Sequence, residues 1–317
     1  MTPAPTTKPS RKRALPTLHQ VRCLSLAGFH RVAVWEWGNG RAGPPVVCVH
    51  GLTRQARDFD ALARHMVARG RRVLCIDLVG RGRSDWLADP LQYHLVQYAS
   101  DVNAVLAWAR ADEVDWVGTS LGGLVGLMLA AQDGANPIRR LVLNDVGPFI
   151  PTHALQRIGR YLTSDVERFD TLAAAEVHLR RVLEPFGDLS AEHWRHLTEH
   201  SFRRDDNDGR YVQRHDPAIA RTYRQWQYLS VDLWRTWHRI ECPVLVLRGA
   251  QSDFLVPSVV DRMCRSASVQ ALEVPRCGHA PVLISPEQIA PVADFLATPI
   301  DPRSQGIAAG RTAGLTA

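Results

Sequence analysis

One serine, one histidine and two aspartates stand in this 317-residue sequence where a hydrolytic relay could be built. Ser120 lies in the pentapeptide Gly118-Thr119-Ser120-Leu121-Gly122, after the apolar run VDWVG and before LGGLVGLMLAAQ. A serine on a sharp strand-to-helix turn is pushed out above the sheet. Its neighbours must be small because strand and helix pack closely there. The start of the helix also brings free N–H groups and a partial positive charge to where an oxyanion would form. Ser120 is therefore read as a nucleophile rather than a serine in a glycine-rich turn.

Other residues fall in a compatible order. His279, in PRCGHAPVL, lies in the loop after the last apolar run and can take the serine proton and return it to a leaving group. Asp253, in RGAQSDFLVP, lies in the loop after one strand-like run and Asp145, in LVLNDVGP, ends another, and from either a carboxylate could reach that histidine. VHGLTR (49–54) allows a tight turn that aims the Leu52 N–H into the site opposite that of Leu121. His50 adjoins the site, but Gly51 beside it marks it as part of the turn. A structural hydrogen bond is its expected role, with a place in the substrate pocket as the weaker alternative.

The elements that must position these residues are legible as changes of period. VRCLSLAG and HRVAVWEWG read as an antiparallel pair. PPVVCVH, RRVLCID, VDWVGTS, IRRLVLND and CPVLVLRG are continuous apolar runs, as expected of strands buried on both faces. Helical stretches at 59–69, 97–109 and 121–132 separate them, and VQALEVP with a helix over 286–296 closes the series. This alternation predicts a mostly parallel sheet with helices on both faces. It stops over 148–238, where the pattern turns to amphipathic helices and aromatic residues. We expect a core over 18–147 and 239–298, a helical cap over 148–238, and disordered tails at 1–17 and 299–317. Trp194, Trp226, Trp234 and Trp237 crowd the cap; each could line an apolar or aromatic pocket or simply pack, and Trp226 is the first choice for the pocket.

Composition narrows the function. Hydrophobic residues make up 45% and charged residues 22%, the balance of a soluble globular chain. The net charge is +6, but Lys8, Arg11, Lys12 and Arg13 stand in the N-terminal tail without a nearby acid. In 148–238, 13 arginines are matched by 13 acidic residues, so no nucleic-acid footprint is expected. No run is long and apolar enough for a membrane span, and no signal-peptide core follows the basic tail. The six cysteines are scattered without metal-ligand spacing and read as reduced residues of a cytoplasmic protein. No dinucleotide or phosphate loop is present, so neither a cofactor nor a metal is expected.

Taken together, these motifs resemble the α/β-hydrolase superfamily, in particular its capped esterase, lactonase and carbon–carbon hydrolase branch, over roughly residues 20–298. The resemblance implies an eight-stranded, mostly parallel sheet with the cap inserted after the sixth strand. It also implies Ser120 as nucleophile, His279 as general base, Asp253 as acid, and the Leu52 and Leu121 N–H groups as the oxyanion hole. Asp253 is favoured because it precedes His279 by 26 residues and is followed by Leu255-Val256-Pro257, which often trails the acid in this family. Asp145 stays open as the alternative, with anchoring the start of the cap as its other role. Val79 departs mildly from the pattern, where a proline is frequent. A serine at 120, rather than an aspartate, favours acyl transfer to water.

The expected activity is hydrolysis of a small-molecule carboxylic ester, with lactones and thioesters also open. Carbon–carbon cleavage beside a ketone is the second enzyme reading, and a non-catalytic receptor is the reading from another class. No nucleic-acid or membrane partner is expected, and monomer and homodimer both stay open.

Overall fold

The computed structural model describes residues 15–41, 43–134, 136–162, 167–226 and 228–299. The expected tails fall almost wholly outside these residues.

The chain opens with a hairpin of β1 (Thr17–Ser25) and β2 (Gly28–Trp37), paired in antiparallel register from Thr17–Glu36 to Ser25–Gly28. Then follow β3 (Val46–Val49), α1 (Asp60–Ala68), β4 (Val73–Asp77), α2 (Leu95–Ala109), β5 (Val114–Thr119), α3 (Leu121–Ala130) and β6 (Ile138–Asn144). After an insertion, described below, the series ends with β11 (Val244–Gly249), α9 (Pro257–Met263), β12 (Val269–Val274) and α10 (Pro286–Ala297). The eight strands form one sheet in the order β1-β2-β4-β3-β5-β6-β11-β12. Its pairs are parallel from β4 through β12, and β2 joins β4 antiparallel.

The continuous apolar runs are explained by burial on both faces. Along β3, Val47 and Val49 join the cluster under α2 and α3, while Val46 and Cys48 join the one under α1 and α10. Because side chains alternate along a strand, both halves of each run must be apolar when helices cover both sides. Asp115 is the exception within β5. It is fully buried, and Arg71 (2.5 Å) and Arg140 (3.1 Å) neutralise it.

The inserted segment contains β7 (Phe149–Ile150), α4 (Thr152–Leu162), α5 (Leu172–Val182), α6 (Ala191–Ser201), β8 (Phe202–Arg204), β9 (Tyr211–Gln213), α7 (Ile219–Trp226), β10 (Val231–Asp232) and α8 (Trp234–Trp237). It is helical for the most part, with two short strand pairs that the sequence did not announce. The β8–β9 hairpin turns through the polar DDNDG stretch. β7 and β10 pair antiparallel, Ile150 opposite Val231, so the segment enters and leaves side by side. Ser190 caps α6 by accepting a hydrogen bond from the His193 N–H, as its type suggests. A separate apolar cluster built on Ala175, Leu179, Trp194, Leu197 and Phe202 also takes in Val282 and Ile284 from beyond β12.

Candidate active site

Ser120 caps the N-terminus of α3 with φ 51° and ψ −114°, a conformation that costs a non-glycine residue energy. Packing over-determines it. The Ser120 N–H donates to the Asn144 carbonyl at 3.0 Å, and the Ser120 carbonyl accepts from the N–H groups of Gly123 and Leu124. At Gly122 an added Cβ would run into the Val49 carbonyl, which is why the position behind the serine carries no side chain. The side chain that emerges is 8% exposed.

Ser120 Oγ stands 2.9 Å from His279 Nε2, and His279 Nδ1 stands 2.7 Å from Asp145 Oδ2. Asp145 is fully buried at the end of β6. Its Oδ1 accepts the Gly249 N–H at 2.8 Å, and its Oδ2 also accepts the Ser252 hydroxyl at 2.5 Å. Three donors thus meet the oxygens of this buried side chain, the pairing that burial of a polar group demands. Phe254 stacks on the imidazole, with ring centroids 4.1 Å apart and planes 24° from parallel. Asn144 Nδ2 donates to the Pro281 carbonyl at 2.7 Å, tying the loop that carries His279 to β6.

Asp253 is not the aspartate bonded to His279. Its two oxygens accept Nε and Nη2 of Arg157, on α4, at 2.7 and 2.8 Å. The two side chains are 38% and 40% exposed. Partial burial pushes the Asp253 carboxyl up, but the Arg157 guanidinium outweighs it, and the net shift is downward. The expectation for Asp253 is corrected on this ground. A bidentate arginine from the insertion has claimed both of its oxygens, while Asp145 approaches the histidine from beneath.

The turn over 50–54 packs against the serine. The His50 carbonyl accepts the Gly122 N–H at 3.1 Å, and the Gly51 N–Cα–C unit faces the Ser120 Cβ. His50 is 1% exposed, its Nδ1 donating to the Gly51 carbonyl at 2.7 Å and its Nε2 accepting the Leu78 N–H at 3.0 Å. Burial, aided by Arg81 and Arg54, lowers its pKa to about 3 and keeps it neutral. With both nitrogens committed to backbone, His50 shapes the turn and is not a pocket residue. Leu121 opens α3, so its N–H has no partner within the helix.

Arg81 went unnoticed in the sequence. It is fully buried, with Nε donating to the Leu52 carbonyl and Nη1 to the Val79 carbonyl and the Tyr98 hydroxyl, each at 2.8 Å. The rings of Tyr93 and Tyr98 flank its guanidinium. It braces the turn from behind. Its place between Gly80 and Gly82 was the available signal, since an arginine in so tight a loop has to turn inward or crowd its neighbours.

The tryptophans divide. Trp194, Trp234 and Trp237 are buried among cluster residues, Trp234 beneath the Arg262 guanidinium at 3.7 Å, and they pack. Trp226 closes α7, and its side chain lies outside the described residues. Among the described residues, two groupings have the types and closeness to hold a metal ion, Cys23–His30–Asp101 and Asp60–His196–His200. Neither contains Ser120, His279 or Asp145. No helix among the described residues is long and apolar enough to cross a membrane.

A serine, a histidine and an aspartate linked by hydrogen bonds at the start of a helix can carry out acyl transfer. Residues 44–286 match the alpha/beta hydrolase fold family. The chain belongs to the α/β-hydrolase family. It is 41% identical over 290 residues to a 3-hydroxybutyrate-oligomer hydrolase of Cupriavidus necator, covering 89% of this chain and 98% of that one. An esterase of Mycobacterium tuberculosis is 28% identical over 75% of this chain and 76% of its own. Among solved structures, an alpha/beta hydrolase from Novosphingobium aromaticivorans superposes with TM-score 0.76 at 32% identity, over 88% of this chain and 98% of its own. This α/β hydrolase acts on ester bonds.

Proposed function

We propose that this hydrolase is a serine esterase that cleaves short ester oligomers of 3-hydroxybutyrate or a similar hydroxy acid through an acyl-enzyme on Ser120. The chemistry rests on one observation, the continuous hydrogen-bonded chain from Asp145 through His279 to Ser120 Oγ. The substrate class rests on the extent of the match to the Cupriavidus necator hydrolase.

In the first step His279 Nε2 accepts the hydroxyl proton as Oγ attacks the ester carbonyl. The Nδ1–H stays bonded to Asp145, whose negative charge stabilises the imidazolium. The tetrahedral oxyanion accepts hydrogen bonds from the Leu52 and Leu121 N–H groups at the positive end of α3. Collapse breaks the carbon–oxygen bond to the leaving alcohol, which takes the proton from His279. Water then attacks the acyl-enzyme by the same route in reverse, giving the free acid and restoring Ser120.

The test is turnover of a 3-hydroxybutyrate dimer and trimer beside p-nitrophenyl esters, with wild type and Ser120→Ala. Loss of the nucleophile is expected to lower kcat about 10³-fold or more on every substrate, because a residual rate survives from binding and the oxyanion hole. Near-wild-type hydrolysis by folded Ser120→Ala would overturn the mechanism. Turnover of p-nitrophenyl esters without cleavage of the oligomers would overturn the substrate class alone.

A further inference from the structure

Far along the sheet from Ser120, at the edge formed by β1 and β2, three side chains with no part in the hydrolytic relay face one another. Cys23 and His30 are register partners across the hairpin, so their side chains lie on the same face. Asp101 comes from α2, which packs on that face. A sulfur, an imidazole nitrogen and a carboxylate oxygen from the three all lie within 4.8 Å of one another. The residues are 3%, 5% and 1% exposed.

The second Asp101 oxygen and the Cys23 sulfur are poorly served by protein. His30 Nε2 faces Asp101 Oδ1 at 3.1 Å and the imidazole also faces the Gly28 carbonyl, but Asp101 Oδ2, buried at the same point, has no partner. Cys23 Sγ has only the distant carbonyls of Val21 and Asp101, both at 3.8 Å. Buried donors and acceptors are paired in the great majority of cases, so an unpaired carboxylate oxygen beside a thiol with only long contacts calls for an occupant. Gln97 Nε2 meanwhile donates to Asp101 Oδ1 at 2.7 Å and to the Leu24 carbonyl at 3.0 Å, which fixes the carboxylate's orientation, as outer partners of metal ligands do.

We propose that Cys23, His30 and Asp101 bind a zinc-class divalent cation that ties the β1–β2 edge hairpin to α2. The donor set is one thiolate, one imidazole and one carboxylate, a mixture suited to zinc rather than to the hard, all-oxygen preferences of calcium or magnesium. Donor atoms around a tetrahedral zinc stand roughly 3.3–3.6 Å apart, given metal–ligand lengths of about 2.0–2.3 Å, so the trio needs only side-chain adjustment. Charge fits as well. Binding releases the Cys23 proton, together with any proton on His30, and a thiolate with a carboxylate then cancels the ion's two charges, leaving a neutral buried cluster. The fourth corner falls to water.

Two alternatives for the trio fare worse. As a second nucleophilic relay it fails, because burial and then Asp101 push the Cys23 thiol up to about 12, and a protonated thiol does not attack. As a plain ion pair between His30 and Asp101 it leaves the second carboxylate oxygen and the sulfur unexplained. The other grouping, Asp60–His196–His200, is a poorer host. Arg57 already holds both Asp60 oxygens, at 2.8 and 2.6 Å, and repels a dication. Sequence spacing hides the Cys23 site, since two ligands are brought together by a hairpin and the third comes from a helix far along the chain.

The test uses full-length, tag-free protein expressed with zinc supplementation, then stripped and refolded with Co(II). About one zinc per chain is expected after expression, and the cobalt form should show a thiolate-to-metal charge-transfer band. Cys23→Ser and His30→Gln should lose that band and weaken zinc binding by about 100-fold or more, at least the upper end of what outer-shell losses cost. Turnover of p-nitrophenyl esters should be unchanged. His196→Ala should keep the band. Should the variants fail to fold, X-ray absorption of the wild-type zinc protein still decides, with one sulfur at about 2.3 Å and the remaining ligands nitrogen or oxygen at about 2.0 Å. Zinc-free protein with no cobalt band, a band indifferent to Cys23→Ser, or a zinc shell without sulfur would each overturn the proposal.

Discussion

Two aspartates within reach of one histidine pose the sharpest question at the scale of single residues, and their partners answer it differently. Asp145 is buried and bonded to His279, Gly249 and Ser252, whereas Asp253 is half-exposed and paired with Arg157. Asp145→Asn should therefore lower kcat about 10²- to 10⁴-fold with the fold intact, because an amide favours the wrong imidazole tautomer and no longer stabilises its charge. Asp253→Asn should change kcat by less than about tenfold, since an exposed ion pair contributes at most about 1 kcal/mol. Steady-state kinetics on both variants, with circular dichroism to confirm folding, decides between them. The reverse pattern would return the role to Asp253. Arg81 invites a separate test. If its hold on the Leu52 carbonyl aims the oxyanion donor, Arg81→Ala should lose about 10²-fold in kcat with little change in KM, the scale of a small misplacement. Added guanidinium ion at non-denaturing concentration should restore part of the rate, which general loss of packing would not allow.

Among the elements, the parallel strands, their helices and the strand–Ser120–helix turn were legible because each leaves a local mark. Runs apolar on both faces identify buried strands, and glycines at 118 and 122 identify close packing at the turn. The choice of acid was not legible, because it depends on a contact between residues 96 apart that removes Asp253 from the histidine. The strands β7, β8, β9 and β10 were missed for another reason, being two or three residues long and too short to show a period. The inserted segment grips the core beside His279 at two places. Arg157 pairs with Asp253, and the Gly278 N–H donates to the Pro185 carbonyl at 2.6 Å. Arg157→Ala should loosen the first grip, and limited proteolysis should then cut within 148–238 faster than in wild type, while global stability falls by no more than about 1 kcal/mol. Equal cleavage rates would mean that the segment's other contacts with the core, among them Asp216 with Gly80 and Tyr93, hold it without Arg157.

For the molecule as a whole, tolerance of acid is tied to three histidines held neutral, His50 buried and His200 and His215 half-buried. Burial, followed by nearby arginines, lowers the pKa of His50 and of His200 to about 3 and of His215 to about 4. In the unfolded chain each imidazole takes up a proton below about pH 6.5. Between that value and the lowered ones the unfolded state binds more protons, so stability falls as pH falls. With all three sites in this window, the slope near pH 5 should reach up to about 4 kcal/mol per pH unit. Urea unfolding at pH 7, 6 and 5 measures it, and His215→Asn should make the curve shallower by about a third. A flat profile between pH 7 and pH 5 would show that these imidazoles are protonated in the folded protein.

The pairing of Ile150 with Val231 has a consequence for how such a protein diversifies. Two strands of two residues each bring the ends of a long excursion together, so from the sheet's side the excursion is a tight bend between β6 and β11. The register of β6 against β11, and with it the approach of Asp145 to Gly249, is set within the sheet on either side of that joint. A joint of this kind is where an excursion of different length could enter the chain without a change in the strand order beneath it.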